Sequence, residues 1–167
     1  MTTPAPSAPT PYIPAEPQTA GIPPLWAPYY GAPFSAAFTR FWKKYATFAG
    51  RASRSEYWKW VLIQLLITTI LGLLTLFLAL SGSSVDTTTG TTTPGPMFGL
   101  GAALLGIWYI ATVIPSISLG VRRLHDINQS GWMYLLNLIP SIGSLIVLVL
   151  AVLPADPRGA RFDQPNS

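Results

Sequence analysis

The sequence predicts an all-α membrane protein: three transmembrane helices, an N-terminal interfacial amphipathic helix and a disordered Pro-rich tail. Three observations predict it. Half of the 167 residues are hydrophobic and only 10% are charged, against about 25% charged in an ordinary soluble domain. The apolar residues gather in long runs between 61 and 153, broken by two short polar loops. Ten of the seventeen prolines fall within residues 1–35, apart from those runs. So few charges cannot solvate a compact water-soluble domain of this length. Cysteine is absent, which excludes disulfides, thiolate nucleophiles and Cys-ligated metals.

Residues 1–34 are expected to form a disordered Pro-rich cytoplasmic tail. Pro6-x-x-Pro9, Pro11-x-x-Pro14 and Pro14-x-x-Pro17 remove amide donors and fix φ, so the segment reads as polyproline II or coil. No basic stretch followed by an apolar one opens the chain, so the first membrane segment is expected to be uncleaved. The cluster Pro23-Pro24-Leu25-Trp26-Ala27-Pro28-Tyr29-Tyr30 is the part that could touch headgroups or the rest of the chain.

Residues 35–49 follow as the amphipathic helix. Phe38, Phe41, Trp42, Tyr45 and Phe48 fall on one face, with Arg40, Lys43, Lys44 and Thr47 on the other. Ser35 is the expected N-cap and Gly50 the expected C-cap. An aromatic, basic face suits the membrane interface, while the alternative is packing on the membrane bundle. Gly50-Arg51-Ala52 is then a corner. Ser53-Arg54-Ser55-Glu56 reads as a capping box that starts the next helix.

Residues 50–153 hold the expected three-span domain. Span 57–80 is about 36 Å long as a helix, enough for a ~30 Å hydrocarbon core. Its fourteen Leu, Ile, Val and Phe residues from Val61 on contribute about −4 to −8 kcal/mol to insertion. Span 97–121 is richer in small residues. Gly95-x-x-x-Gly99 and Ser116-x-x-x-Gly120 predict close helix contact, and Pro115 predicts a kink. Span 132–153 is interrupted by Asn137, Pro140 and Gly143. Split at Pro140, its arms are too short to cross twice, so one kinked span is expected, with re-entry at Pro140 as the alternative. Residues 154–167 form a C-terminal tail.

Loop 81–96 has no Lys or Arg, whereas the flank before span 57–80, Lys59 at the start of that span and the loop after span 97–121 have eight. The positive-inside rule therefore puts the N-terminus in the cytoplasm, and three spans put the C-terminus outside. The polar residues on the cytoplasmic side are Arg51, Ser53, Arg54, Glu56, Arg122, Arg123, His125 and Asp126. They form a structural or binding cluster. In one reading they bind an anion or do acid–base work. In the other, the two Arg complement a helix C-terminus and snorkel, Asp126 pairs with one of them, and Ser130 caps the third span. Pairing of Glu56 or Asp126 with Arg51, Arg54, Arg122 or Arg123 would lock corner to loop. His125 is the sole histidine. No metal-ligand spacing, paired carboxylates, phosphate-cradling loop or intramembrane ionisable residue is seen, so no catalytic, cofactor or metal residues are expected.

The run Phe48-Ala49-Gly50-Arg51-Ala52-Ser53-Arg54-Ser55-Glu56-Tyr57-Trp58 resembles the opening signature of the small bacterial membrane proteins grouped as domain of unknown function 805. Pro115 with Val121-Arg122-Arg123-Leu124-His125-Asp126 and Ser130-Gly131-Trp132 is similar to the second signature. Leu138-Ile139-Pro140, Gly143 and Leu153-Pro154 resemble the third. The likeness covers about residues 41–163. The tail departs from the family's closing signature: it keeps Arg161-Phe162 but lacks the Asn and the final Gly. The resemblance implies a plasma (inner) membrane protein of a bacterium, of undetermined activity.

The expected function is therefore non-enzymatic: binding of lipid or a partner through the cytoplasmic polar face. A small channel or transporter subunit is the alternative. Expected partners are the bilayer, above all its anionic headgroups, and a further copy or another protein; no nucleic acid is expected. The charge excess beside a membrane segment favours lipid.

Overall fold

The computed structural model describes residues 21–163. It holds four α-helices: α1 (Phe34–Lys43), α2 (Arg54–Leu80), α3 (Phe98–Asp126) and α4 (Ile142–Val152). Two 3₁₀ helices, Gly131–Leu138 and Pro157–Phe162, flank α4 in the chain. A two-stranded antiparallel ribbon, β1 (Ser84–Val85) with β2 (Thr92–Thr93), closes the loop between α2 and α3.

α2 and α3 pack side by side and are the two helices long and apolar enough to cross a membrane. Their outer faces stay uncovered. Leu65, Leu66, Ile70, Leu73, Phe77, Ile107, Ile110 and Val113 are all exposed. Leaving such surface in water would forgo about 25 cal/mol per Å², so these faces suit acyl chains. The helices approach most closely at Gly101, where a Cβ would stand 2.7 Å from the Thr75 backbone. Of the expected small residues, Gly95 lies against the Leu78 and Ser81 carbonyls at the end of α2 and Gly120 against the Tyr134 ring, whereas Gly99 faces open space. α3 continues through Pro115 and ends five residues beyond the expected 121.

Three further expectations are revised. The first is the single kinked span over 132–153. The chain instead makes a hairpin, with Gly131–Leu138 as one arm and α4 as the other. Pro140 has no amide to donate and forces Ile139 to be extended, and Ser141 adopts a φ of 65°. Gly143 then lies against the Leu136 carbonyl, where the arms cross. Both hairpin ends meet the last turn of α3. A Cβ on Gly131 would stand 3.0 Å from His125 Nε2, and the Ala151 carbonyl accepts from Arg123 Nε at 3.0 Å. At 11 residues, α4 is about 16 Å long. Short arms rule out two crossings, but not a hairpin that enters and leaves at one end.

The second revision concerns the C-terminal segment. Pro157–Phe162 packs on the corner and on the end of α3, at the same end of the bundle as α1 rather than at the opposite one.

The third concerns the Pro-rich tail, of which residues 1–20 lie outside the described residues. Residues 23–32 form an ordered strap over α1 and the start of α2. α1 itself is shorter than the expected 35–49. It starts after Pro33 rather than at a Ser35 cap and stops at Lys43. The Ser118 hydroxyl, which lies against the Lys44 and Thr47 carbonyls at 3.2 and 2.6 Å, meets the chain as it leaves the helix. The middle of the α1 aromatic face packs inward, where Phe41 is buried and stacks on Trp60 at 3.3 Å with Trp42 and Trp108 around them, while Phe38 and Phe48 stay exposed.

Candidate functional site

Four separated segments converge at the end of the bundle that carries the basic residues: the strap, the corner 50–56, the last turn of α3 and residues 156–163. The capping box starts this assembly. Ser53 Oγ accepts from the Glu56 amide at 3.1 Å, and Glu56 Oε2 accepts from the Ser53 amide at 3.0 Å. With one oxygen used for the cap, Glu56 still takes Arg40 Nε at 2.6 Å and the Tyr29 amide at 3.0 Å. It is 2% exposed. Its partner is thus Arg40 of α1, and not any of the four arginines expected.

Arg40 holds the strap. Its guanidinium donates to the carbonyls of Pro23, Pro24, Leu25 and Ala27. Ser53 and Ser55 hydroxyls both donate to the Tyr29 carbonyl, at 2.6 and 3.0 Å. Lys59 Nζ reaches the Ala32 carbonyl. A proline-rich strand has few amide donors but keeps every carbonyl, so cationic side chains are suited to hold it.

Asp126 is the second centre and is fully buried. It accepts from Arg123 Nη1 at 2.5 Å and from the Tyr30 hydroxyl at 2.8 Å, and Arg51 Nη1 lies 3.9 Å away. Burial, and then the Asp126 charge, push the Tyr30 phenol up, so it stays a neutral donor. The lock between corner and loop therefore exists, through Arg51 and Asp126. Arg51 bonds Asp163 more closely, with Nε 2.9 Å from Oδ1 and Nη2 2.6 Å from Oδ2. Arg123 does not snorkel. It is buried and donates to the Ala151 and Leu153 carbonyls, which close the C-terminus of α4. Ser130 precedes the first 3₁₀ helix without a side-chain cap.

His125 is a structural joint in this arrangement. Its Nδ1 lies 3.1 Å from the Gly50 carbonyl, and its ring stacks on Phe162 at 4.0 Å. The Gly50 amide donates to the Phe162 carbonyl at 2.9 Å. Gly50 itself has a φ of 79°, and a Cβ there would stand 2.9 Å from the Trp26 carbonyl oxygen. Gly50→Ala is expected to lower stability by about 1–2 kcal/mol from the left-handed backbone alone, with a further loss from that contact. Thermal unfolding of the purified protein measures it.

Of the eight expected site residues, seven converge here, while Arg54 is exposed and stands apart. Sequence reasoning placed Arg40 and Lys44 on the solvent side of α1, yet both are buried. It did not assign Tyr29, Tyr30, Ser118, Phe162 or Asp163 to the cluster. Arg122 is 1% exposed, and its Nε reaches the Ser118 carbonyl of its own helix at 3.3 Å. Arg122 Nη2 and Lys44 Nζ have no hydrogen-bond partner among the described residues. Burial, and then the Arg122 charge, bring the Lys44 amine down to about 7.

Comparison with known proteins agrees with this frame. The family model "Protein of unknown function (DUF805)" matches residues 45–164. The chain is 34% identical over 120 residues to inner membrane protein YhaH of Escherichia coli, covering 72% of this chain and 87% of that one. It is 35% identical over 108 residues to inner membrane protein YhaI of the same organism, covering 64% and 75%. No solved structure matches.

Proposed function

This chain belongs to the DUF805 family, and from that premise we propose that it is a multi-pass inner-membrane protein that binds anionic lipid headgroups through the basic end of its bundle. The carrying observation is how the charges at that end are exposed. Lys43, Arg54, Arg158 and Arg161 are exposed, whereas Glu56 and Asp126 are buried, and Asp156 and Asp163 are partly covered and paired with Arg. The surface left to solvent is cationic, and near an anionic leaflet each such residue is worth about 1 kcal/mol. The other end has no base in loop 81–96 and one acid, Asp86. His125 and Asp126 are both committed to holding segments together, which supports binding rather than catalysis.

In this reading α2 and α3 cross the membrane, and the hairpin 131–152 enters and leaves from the cytoplasmic side. Both termini are then cytoplasmic. The absence of cysteine makes a single introduced thiol unique. Ser83→Cys is expected to react with a membrane-impermeant maleimide from outside intact spheroplasts, and Lys43→Cys and Arg158→Cys only after lysis. Labelling of Arg158→Cys from outside would rule this topology out. For the function, the double change Lys43→Glu with Arg54→Glu is expected to lower the anionic lipid co-purified with the protein severalfold. An unchanged lipid profile would count against headgroup binding.

A further inference from the structure

We propose that Lys44 and Arg122 form a buried subsite for a phosphate-bearing anion, set between α1 and the last turns of α3. Three ion pairs use every carboxylate around them. Arg40 takes Glu56, Arg123 takes Asp126, and Arg51 takes Asp163. Two cations remain, Lys44 at 3% exposure and Arg122 at 1%. Each has a nitrogen buried with no partner among the described residues.

An isolated buried cation is costly, and two near one another more so. The charged groups that face Lys44 are Arg122 of α3, Glu56 of α2, Arg40 of α1 and Asp163 of the C-terminal segment. Both carboxylates in that set are already spent on other arginines, so the local field on Lys44 is uncompensated. A neutral solute cannot balance it. A phosphate group can, because it brings up to two negative charges and several acceptors.

The donor types fit as well. With Nε turned to the Ser118 carbonyl, Arg122 still offers its terminal nitrogens, and guanidinium matches phosphate oxygens at two points. Lys44 adds a point charge. The Ser118 hydroxyl donates to the Thr47 carbonyl at 2.6 Å and the Thr47 amide to the Lys44 carbonyl at 3.2 Å, so both acceptors already carry a hydrogen bond. Lys44 follows Trp42 by two residues, and Trp42 packs against Trp60 and Trp108, an aromatic group of the kind that collects at headgroup level. A lipid phosphodiester and a free phosphate share this chemistry.

The inference deepens the headgroup-binding reading by naming one subsite, and the two can fail separately. Lys43 and Arg54 carry the first, and Lys44 carries the second. The test uses the full chain purified in a maltoside detergent and a phosphate-free buffer. Inorganic phosphate is added in one arm and phosphatidylglycerol in the other. The melting temperature is expected to rise by about 5–10 °C at a hundredfold excess over Kd. Lys44→Met breaks no hydrogen bond, so it is expected to fold, to melt no lower than the parent without ligand, and to lose the shift. Thr47→Ala, at an exposed, uncharged neighbour, is expected to keep it.

A shift in both arms supports recognition of the phosphate group itself. A shift with the lipid alone supports a headgroup site. No shift in either arm, or an equal shift in Lys44→Met, overturns the proposal. Protonation gives a second readout. Burial brings the Lys44 amine down to about 7 without ligand, so binding of the lipid phosphodiester, which does not titrate in this range, is expected to take up a proton at pH 8 and almost none at pH 5.5.

Discussion

Glu56→Gln is expected to lower the stability of this protein by about 3–5 kcal/mol, the usual loss when one member of a buried ion pair is removed. The carboxylate joins three parts of the fold. It closes the capping box of α2, takes Arg40 of α1 at 2.6 Å and holds the strap through the Tyr29 amide. Glutamine keeps the shape but leaves the Arg40 charge buried and uncompensated. Unfolding followed by tryptophan fluorescence in detergent reads it directly, since Trp60 is one turn along α2. A loss below about 1 kcal/mol would place the pair in the class of exposed salt bridges.

Charge reversal of the pair is not expected to rescue. The corner-to-loop lock suggested by the sequence implies that swapping charges should restore folding. Here both partners are also oriented by backbone: Arg40 donates to four carbonyls, and Glu56 accepts from two amides. A glutamate at 40 would face acceptors and an arginine at 56 would face donors. Arg40→Glu with Glu56→Arg should therefore be at least as unstable as either single change. Rescue by the swap would mean that the strap contributes little.

Gly143→Val is the second large effect, and it acts on the hairpin. Its Cβ would enter the Leu136 carbonyl, which is backbone and cannot turn aside. The expected loss is at or above the upper end of the ~1–3 kcal/mol typical of overpacking. The hairpin arms should separate, taking the Ala151 carbonyl off Arg123. A single Ala151→Cys thiol, buried in the parent fold, should then become reactive to maleimide. A thiol that stays protected in the Gly143→Val background would show that the arms can cross without glycine.

Much of this was legible in the sequence for identifiable reasons. Long apolar runs mark α2 and α3 because lipid contact needs no alternation of polar and apolar faces. The capping box reads correctly because its partners are three residues apart. The Arg–Arg–x–His–Asp run points to the right cluster because its members share the last turn of one helix. The errors have a common form. Arg40 and Lys44 lie on the flank of the α1 aromatic face, Lys44 only about 60° around the helix from Phe41. A binary polar or apolar label sends them to solvent, whereas Arg40 is taken up by buried acceptors and Lys44 is buried without one among the described residues. Glu56 and Arg40 are 16 residues apart, and no local pattern encodes such a pair. The hairpin at Pro140 reads from the sequence only as the second choice, because arm length there is weighed against full crossing.

The closing segment also sets an order of assembly. Residues 156–163 leave the ribosome after every membrane segment, yet they supply Asp163 to Arg51 and Phe162 to His125 and Gly50. Until then α2 and α3 can already be formed while Arg51 has only the Asp126 carboxylate, 3.9 Å away, and Gly50 has an open amide. Insertion and completion are thus separate events in the life of the chain. A polypeptide interrupted before Asp163 would hold its apolar helices but stay unsealed at its polar end.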